Sequence, residues 1–387
     1  MNKDFSFPFY LTRLLWHAFA VVVSVLAMVP AAQAEWRFLP RLNGWSFSVP
    51  MMNRNGRLIT TEYQERRWRL DRRFVILDVP TGQRLFDRYW TWANNGERPF
   101  CFMLLDTNNS VSLMFYTETS GYFRRYAADG TMTSEQTRPF PDSFPRHLWD
   151  PEISLWGPGY LHTSWWDYED TCAYVQTCAL DLRVLRTDTI RFPRAGWWGE
   201  EVEPDGSGGY YLLCPVTDRP YSRNLYHMSS GGVLQGPVMF DILPGFSTFA
   251  LSFAPGSRTL LVMSGDLVGD IHQILYCIHL DPDNLSEISR ELISSFINFG
   301  DVEAAQDTIW FVRQVTPPVP PVIHQGIAVW AYTQESGWVA TDSLTNDVWP
   351  NGGSSGGSIM SMRIFVYPYL VITTIGGSRF LVRYPEP

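Results

Sequence analysis

The sequence predicts an all-β chain, and three observations support this prediction. Apolar runs rich in β-branched and aromatic residues alternate with short turns of Gly, Pro, Asn and Asp. A unit of run, turn and run returns after about fifty residues, as at 74–86, 122–132, 224–234 and 328–339. Helical periodicity is scarce. A repeat of this length made only of strands is typical of a β-propeller, in which each repeat forms one four-stranded blade.

The turns of this unit predict the number of blades. Six turns follow one another at about fifty residues, and the seventh comes only about forty residues after the sixth; they lie at Thr81-Gly82, Asp129-Gly130, 183–187, Gly231-Gly232, Asp283-Asn284, Ser336-Gly337 and Gly376-Gly377. The shortfall is the length of one strand. We therefore expect 370–375 and 379–384 to form an inner hairpin, and the N-terminal segment 36–49 to supply the outer strand. This predicts a seven-bladed β-propeller closed by the N-terminal strand, with six or eight blades as alternatives, and closure removes exposed sheet edges.

One segment departs from the strand pattern. Ser286 is a suitable helix cap, and Ile288 and Leu292 follow with the four-residue spacing of one helical face. This spacing predicts a short helix within 284–296.

A second segment carries a family resemblance. Residues 251–263 read Leu-Ser-Phe-Ala-Pro-Gly-Ser-Arg-Thr-Leu-Leu-Val-Met. This resembles the strand, turn and strand signature of TolB-type, WD40-like propeller repeats, which reads roughly Phe-Ser-Pro-Asp-Gly-Lys before an apolar strand. Ser252 and Phe253 are inverted relative to that signature, and the Asp before Gly256 is missing. The resemblance covers one blade, so it implies a repeat type and no particular activity.

The N-terminus has the pattern of a secretory signal peptide. Lys3 and Arg13 precede an apolar run, 14–29, and Ala32-Gln33-Ala34 supplies a cleavage site. The run is shorter than the ~20 residues that a membrane-spanning helix needs. We therefore predict a cleaved signal peptide over 1–34, a single propeller domain over 35–387, no membrane span after cleavage, and a periplasmic or secreted protein.

Composition excludes several kinds of partner and chemistry. The formal net charge is −9 and no basic tract is present, which disfavours nucleic-acid binding. Lys3 is the one lysine in the chain, so the mature protein has no lysine for a Schiff base or a phosphate-binding loop. The Cys and His spacings match no zinc pattern, and His272 and His279 have the odd separation that points to opposite faces of a strand. No metal and no cofactor is therefore predicted.

The five cysteines suit an oxidising compartment. Cys172 and Cys178 are close in the sequence, and we expect a disulfide between them that closes a hairpin or a bulged loop. Cys214 and Cys277 lie inside apolar runs, as buried thiols do. The pairing of these two and of Cys101 stays open.

Two segments combine paired indole rings with carboxylates. Residues 162–170 contain Trp165, Trp166 and Asp167, and residues 196–205 contain Trp197, Trp198, Glu200 and Glu201. Adjacent strand residues point to opposite faces, so at least one ring of each pair is expected to be exposed or to lie under a loop. These residues are the predicted binding site. The alternative is that the rings fill gaps between blades.

These observations favour a binding or scaffold protein without catalytic activity. Its partner would be a protein or a glycan, held by the aromatic segments of one propeller face. The alternative is a glycan-active hydrolase or lyase with carboxylates at the mouth of the central channel, which for a hydrolase requires two acids within about 10 Å. A serine hydrolase is excluded, because the G-x-S-x-G matches at Ser354 and Ser355 are followed by no helix pattern.

Overall fold

A computed structural model of the chain contains 28 β-strands and no helix within the residues that it describes. These are residues 36–38, 51–52, 55–66, 69–93, 100–105, 108, 110–116, 120–129, 131–139, 152–154, 159–167, 172–180, 183–191, 201–216, 219–242, 246–266, 275–294, 298–315, 326–344, 362–365, 369–374 and 380–383. This part of the chain therefore includes no apolar helix that could cross a membrane. The predicted signal peptide, 1–34, lies outside it.

The described strands form seven four-stranded antiparallel sheets, which we call blades 1 to 7. Blades 1 to 6 each use four successive strands in chain order. Blade 1 contains β2 (Met51–Met52), β3 (Arg57–Arg66), β4 (Arg69–Asp78) and β5 (Arg84–Ala93). Blade 2 contains β6 (Phe100–Leu105), β7 (Val111–Tyr116), β8 (Ser120–Tyr126) and β9 (Met132–Pro139). Blade 3 contains β10 (Glu152–Ser154), β11 (Tyr160–Asp167), β12 (Cys172–Cys178) and β13 (Val184–Arg191).

The next three blades repeat this order. Blade 4 contains β14 (Glu201–Pro204), β15 (Tyr210–Val216), β16 (Arg219–Met228) and β17 (Leu234–Asp241). Blade 5 contains β18 (Phe246–Ala254), β19 (Thr259–Asp266), β20 (Leu275–Leu280) and β21 (Glu287–Ser294). Blade 6 contains β22 (Asn298–Ala305), β23 (Thr308–Val315), β24 (Gly326–Thr333) and β25 (Gly337–Leu344).

Blade 7 joins the two ends of the chain. It contains β26 (Met362–Phe365), β27 (Leu370–Thr374) and β28 (Phe380–Arg383), and β1 (Trp36–Phe38) pairs with β28 as its fourth strand. Trp36 lies opposite Arg383 and Phe38 opposite Leu381. The expected hairpin of β27 and β28 and the expected closure by the N-terminal strand are both confirmed. The described part of the closing strand is Trp36–Phe38, and the remainder of the predicted 36–49 lies outside the described residues.

The first strand of a blade lies innermost. β14 contacts β10 and β18, and β22 contacts β18 and β26, so these first strands follow one another around the inside of the structure. The fourth strands are outermost, and β13 and β17 alternate between exposed and half-buried positions over most of their length. The protein is thus an all-β propeller, as its sequence predicts.

Packing between blades uses both faces of the middle strands. Every residue of β15 from Tyr210 to Pro215 is buried. Tyr210, Leu212 and Cys214 belong to a core shared with blade 3, where Ala173, Val175 and Ile190 lie. Tyr211 and Leu213 belong to a core shared with blade 5, which includes Leu251, Phe253 and Leu260. Because side chains alternate along a strand, one continuous apolar run contributes to two cores, each large side chain adding about 1.5–3 kcal/mol when fully buried.

Polar contacts at the outer edges also connect neighbouring blades. The Arg186 guanidinium of blade 3 donates to the carbonyl oxygens of Ser229 and Ser230 in blade 4, at 3.0 and 2.8 Å. Arg290 of blade 5 donates to the carbonyl oxygen of Asp241 in blade 4, at 2.5 Å. These arginines donate to the carbonyl oxygens of a turn and of a strand end, and so link the outer edges of neighbouring blades.

The predicted helix within 284–296 is wrong. Residues 281–286 form the turn after β20, and Glu287–Ser294 form β21. The side chains of Ile288 and Leu292 are 67% and 54% exposed, and both lie on one outward face of this strand. A spacing of four residues is an even number, so it keeps two side chains on one face of a strand as well as of a helix.

The predicted disulfide between Cys172 and Cys178 is also wrong. Both residues are buried and are not disulfide-bonded, and they are the first and last residues of the same strand, β12. At about 3.3 Å per residue their Cα atoms are roughly 20 Å apart. A disulfide requires less than about 7 Å. The hairpin that a bridge would have closed is a single straight strand.

An engineered cross-link tests the closure of blade 7. Arg37 lies opposite Val382, and directly opposite Cα atoms of antiparallel strands are about 4.5–5.5 Å apart, which suits a disulfide. We expect Arg37→Cys with Val382→Cys to cross-link under mild oxidation and to raise the free energy of unfolding by about 4 kcal/mol. Non-reducing electrophoresis and urea unfolding, with and without reductant, measure both effects.

The matched control moves one cysteine to the next strand. Val371 lies opposite Val382 on β27, two strand spacings or about 9–10 Å from β1. Arg37→Cys with Val371→Cys should therefore not cross-link. Equal cross-linking of the two pairs, or none in the first pair, would contradict the closure.

Candidate functional site

The antiparallel order gives the propeller two different faces. In blades 1 to 6 the first two strands and the last two strands are joined on one side, which we call the short-turn face. Its described turns include 205–209, 229–233, 255–258, 281–286, 306–307 and 334–336. The Gly256 amide donates to the carbonyl oxygen of Gln306, which joins two such turns of neighbouring blades. The opposite side, which we call the long-connection face, is where strands such as β11 and β13 end and strands such as β12 and β14 begin.

The strand register places the first predicted aromatic segment at the long-connection face. Trp165, Trp166 and Asp167 are the last three residues of β11. Glu201 is the first residue of β14 in the next blade, and β11 and β14 are in contact. The end of β11 and the start of β14 therefore lie at the same face on adjacent blades. Trp197, Trp198 and Glu200 lie in 192–200, outside the described residues.

Glu201 and its neighbour Glu203 have a structural role. The Glu201 carboxylate accepts a hydrogen bond from the Leu251 amide, and the Glu203 carboxylate accepts one from the Phe253 amide at 2.7 Å. Leu251 and Phe253 are two residues apart on β18, the inner edge strand of blade 5, whose inward-facing amides have no further strand to pair with. The two acids thus satisfy the inner edge of the next blade. For Glu201, a place in a ligand site remains a prediction.

The contact made by Glu203 has a measurable energy. Glu203→Ala leaves the Phe253 amide without its acceptor, and we expect the free energy of unfolding to fall by about 1–3 kcal/mol. Glu203→Gln keeps an acceptor oxygen of the same reach and should lose less than half of that. Urea unfolding of both variants provides the measurement, and equal losses for Ala and Gln would show that the hydrogen bond contributes nothing.

A buried polar cluster lies between blades 3 and 4 near the short-turn face. The Tyr210 hydroxyl donates to Asp188 at 3.0 Å, and the Arg186 guanidinium donates to the same carboxylate at 2.8 Å. The His162 ring packs against Tyr210 with its centroid 5.3 Å away, and its Nδ1 lies 3.3 Å from the Thr177 hydroxyl. The Nε2 of His162 is buried and has no hydrogen-bond partner in the described part of the chain.

A second acid and histidine pair holds the turn of blade 4. Asp205 accepts hydrogen bonds from the amides of Ser207 and Gly209, at 2.7 and 2.9 Å, and lies 3.1 Å from Nε2 of His227. Burial acts to raise the pKa of Asp205, but the bonds from His227 and from the turn outweigh it and hold the pKa below its usual value. The His227 ring stacks on Tyr211 at 4.5 Å. This arrangement stabilises the turn and keeps Asp205 ionised.

The burial of His162 predicts that the protein loses stability in mild acid. Burial lowers its pKa from 6.5 to about 4, with the charge of Asp205 opposing that shift and the charge of Arg186 adding to it. Below pH 6.5 the imidazole of His162 binds a proton in the unfolded chain but not in the folded protein. The free energy of unfolding therefore falls as the pH drops from 6.5 towards 4. This residue should contribute about 3 kcal/mol of that fall.

Replacing the ring tests this assignment. His162→Gln removes the titrating group, so its free energy of unfolding should vary less with pH across this range than that of the wild type. Thr177→Val removes the hydroxyl that contacts the ring and should keep the wild-type slope. Urea unfolding at a series of pH values gives the slopes, and an unchanged slope in His162→Gln would contradict the assignment.

A third polar cluster lies between blades 5 and 6 and contains possible metal ligands. One ligand atom each from Cys277, His279 and Glu291 lies within 4.8 Å of the others. The sequence analysis considered only whether His272 and His279 could share a metal, so it did not predict the grouping of Cys277, His279 and Glu291. Its signal is the even separation of Cys277 and His279, which puts both on one face of β20, but Glu291 joins them only through the pairing with β21.

Comparisons with known proteins agree with the fold. The sequence matches no family model and no curated protein. The crystal structure of the polysaccharide lyase Uly1 matches with a TM-score of 0.53 and 8% identity, over 92% of this chain and 95% of the lyase. A protein from Lactobacillus plantarum matches with a TM-score of 0.47 and 12% identity, over 76% and 84% of the two chains. At these identities the likeness concerns the fold alone. The relation of 251–263 to TolB-type repeats remains a prediction, although these residues do form a strand, a turn and a strand.

Proposed function

We propose that this chain is an exported β-propeller that binds a glycan on its long-connection face without cleaving it. The observation that carries the proposal is the strand register. β11 ends with Trp165, Trp166 and Asp167 beside the strand that begins with Glu201. The second indole pair, Trp197 and Trp198, precedes Glu201 in the sequence by a few residues. The end of β11 and the start of β14 lie at one face of adjacent blades, and we infer that the second indole pair contributes to the same face.

The residue types favour a sugar as the ligand. Indole rings offer flat apolar surfaces that can cover the C–H face of a pyranose, and ionised carboxylates accept hydrogen bonds from its hydroxyl groups. The longest connections between described strands lie on this face, as 267–274 and 345–361 illustrate. Binding residues are commonly found in such connections on a rigid scaffold.

The state of the nearby acids favours binding over catalysis. Glu201 and Glu203 are the acids of β14, and both accept hydrogen bonds from backbone amides of blade 5. Amide donors stabilise the ionised form of a carboxylate, whereas a general acid must hold a proton at the working pH. These two residues are therefore poorly suited to protonate a leaving group.

The second candidate function is glycan cleavage at the same face. It is favoured by the similarity of fold to a polysaccharide lyase over nearly the whole chain. A lyase removes a proton from the sugar and expels the glycosidic oxygen, which leaves a carbon–carbon double bond in one product. A hydrolase adds water instead and leaves a new reducing end without a double bond.

Binding assays on the exported protein test the proposal. The mature chain, which the cleavage prediction starts at Glu35, would be screened on a polysaccharide array and the best glycan titrated by calorimetry. Trp165→Ala with Trp166→Ala, and separately Trp197→Ala with Trp198→Ala, should each weaken binding by at least about 30-fold, as the loss of a central aromatic anchor does. Thermal melts should remain within a few degrees of the wild type.

A control variant and the contrary outcomes distinguish glycan binding from the alternative roles of these residues. Val233→Ala changes an exposed residue of the short-turn face and should leave glycan binding unchanged. Unfolding of the Trp variants would assign the rings to the core, and capture of a protein with no glycan binding would overturn the sugar assignment. Growth of ultraviolet absorbance from an unsaturated product, or new reducing ends, would establish the second candidate instead.

A further inference from the structure

The Cys277, His279 and Glu291 side chains converge although they come from two strands. Cys277 and His279 are two residues apart on β20 and share one face of that strand. Glu291 lies on β21 directly opposite Cys277, so its side chain is on the same face of the sheet. Nε2 of His279 is 2.9 Å from Oε1 of Glu291, and the three potential ligand atoms lie within 4.8 Å of one another.

The combination of donor atoms is selective for one class of ion. A thiolate sulfur, an imidazole nitrogen and a carboxylate oxygen form a mixed set that suits zinc and similar transition metals, whereas calcium and magnesium prefer oxygen ligands throughout. Around a tetrahedral zinc ion such atoms stand about 3.3–3.8 Å apart. The three side chains need only small adjustments to reach that spacing, and a water molecule would complete the coordination.

Aromatic side chains of blade 6 surround the cluster of Cys277, His279 and Glu291. Tyr332 of blade 6 packs against the His279 ring at 4.9 Å and against Trp338 at 5.3 Å, so two aromatic residues cover the group from the neighbouring blade. The buried ring N–H of Trp338 has no hydrogen-bond partner among the described residues, so it remains available as a donor to the Cys277 sulfur. Such donors around a metal-bound thiolate orient it and tune its charge.

The three side chains of the cluster differ in their exposure to solvent. Cys277 is fully buried and His279 nearly so, whereas the Glu291 side chain is 44% exposed. An ion could therefore enter from the Glu291 side and meet the thiol at the bottom of the group. Metal binding would displace the proton of the Cys277 thiol to solvent as the metal–sulfur bond forms.

We propose that Cys277, His279 and Glu291 form a zinc-class metal site that ties the two outer strands of blade 5 together under the aromatic cover of blade 6. The competing explanation is a hydrogen bond between His279 and Glu291 beside a thiol of the apolar core. The site does not depend on the proposed glycan function, because it lies on other blades and uses none of the same residues.

Cobalt titration of the chelator-treated full-length mature protein tests the site. Cobalt replaces zinc in tetrahedral sites and gives a near-ultraviolet thiolate charge-transfer band that carboxylates and histidines alone cannot produce. We expect this band to saturate at one equivalent, zinc to displace the cobalt, and added zinc to raise the melting temperature. Elemental analysis gives the stoichiometry independently.

Matched variants separate this site from metal bound elsewhere. Cys277→Ala should abolish the thiolate band, and Cys214→Ala, which removes a thiol equally buried in another blade, should keep it. Glu291→Gln should weaken zinc binding by at least about tenfold, whereas Glu287→Gln on the same strand should not. Circular dichroism of each variant confirms folding.

Two results would overturn the proposal. One is the absence of a thiolate band in the wild type with cobalt in large excess, which would leave the hydrogen bond and the core thiol as the full account. The other is a band, or a melting-temperature increase with zinc, that persists unchanged in a folded Cys277→Ala variant.

Discussion

Blades 4 and 5 each bury both of their faces against a neighbouring blade, and this double burial dictates which residues their strands carry. A sheet within the propeller lies between two neighbours, so its middle strands are buried on both faces and can carry apolar residues at successive positions as well as at every second one. β15 shows this most clearly, because Tyr210 packs towards blade 3 and Tyr211 towards blade 5. The continuous apolar runs of the sequence are the result of this double burial.

The period of the sequence corresponds to a physical contact. The Glu201 carboxylate accepts a hydrogen bond from the Leu251 amide, and the Glu203 carboxylate accepts one from the Phe253 amide. In each pair the two residues are 50 positions apart in the sequence. Equivalent positions of successive blades stand side by side around the axis, so one repeat length separates an inner-edge acid from the amide that it satisfies. Such carboxylates contribute to the scaffold, which leaves ligand recognition to the connections between strands.

Polar groups within the blades are held by specific partners or by burial. Asp205 is fixed by a turn and by His227, and Asp188 by Tyr210 and Arg186. His162 is kept neutral by its surroundings. His162 couples the stability of blades 3 and 4 to pH, because its buried ring resists the charge that the unfolded chain accepts freely.

The strand class, the repeat and the closure of blade 7 were predictable from the sequence, since all three follow from periodicity and from the one short interval. The sequence pattern misassigned 284–296, because a spacing of four suits a strand face as well as a helix, and it paired Cys172 with Cys178, because proximity in the sequence does not distinguish a hairpin from one extended strand. Only the tertiary structure brought Glu291 to Cys277 and His279, and Glu203 to the Phe253 amide. Those contacts depend on strand register and on the order of blades, which side-chain patterns within a single segment do not encode.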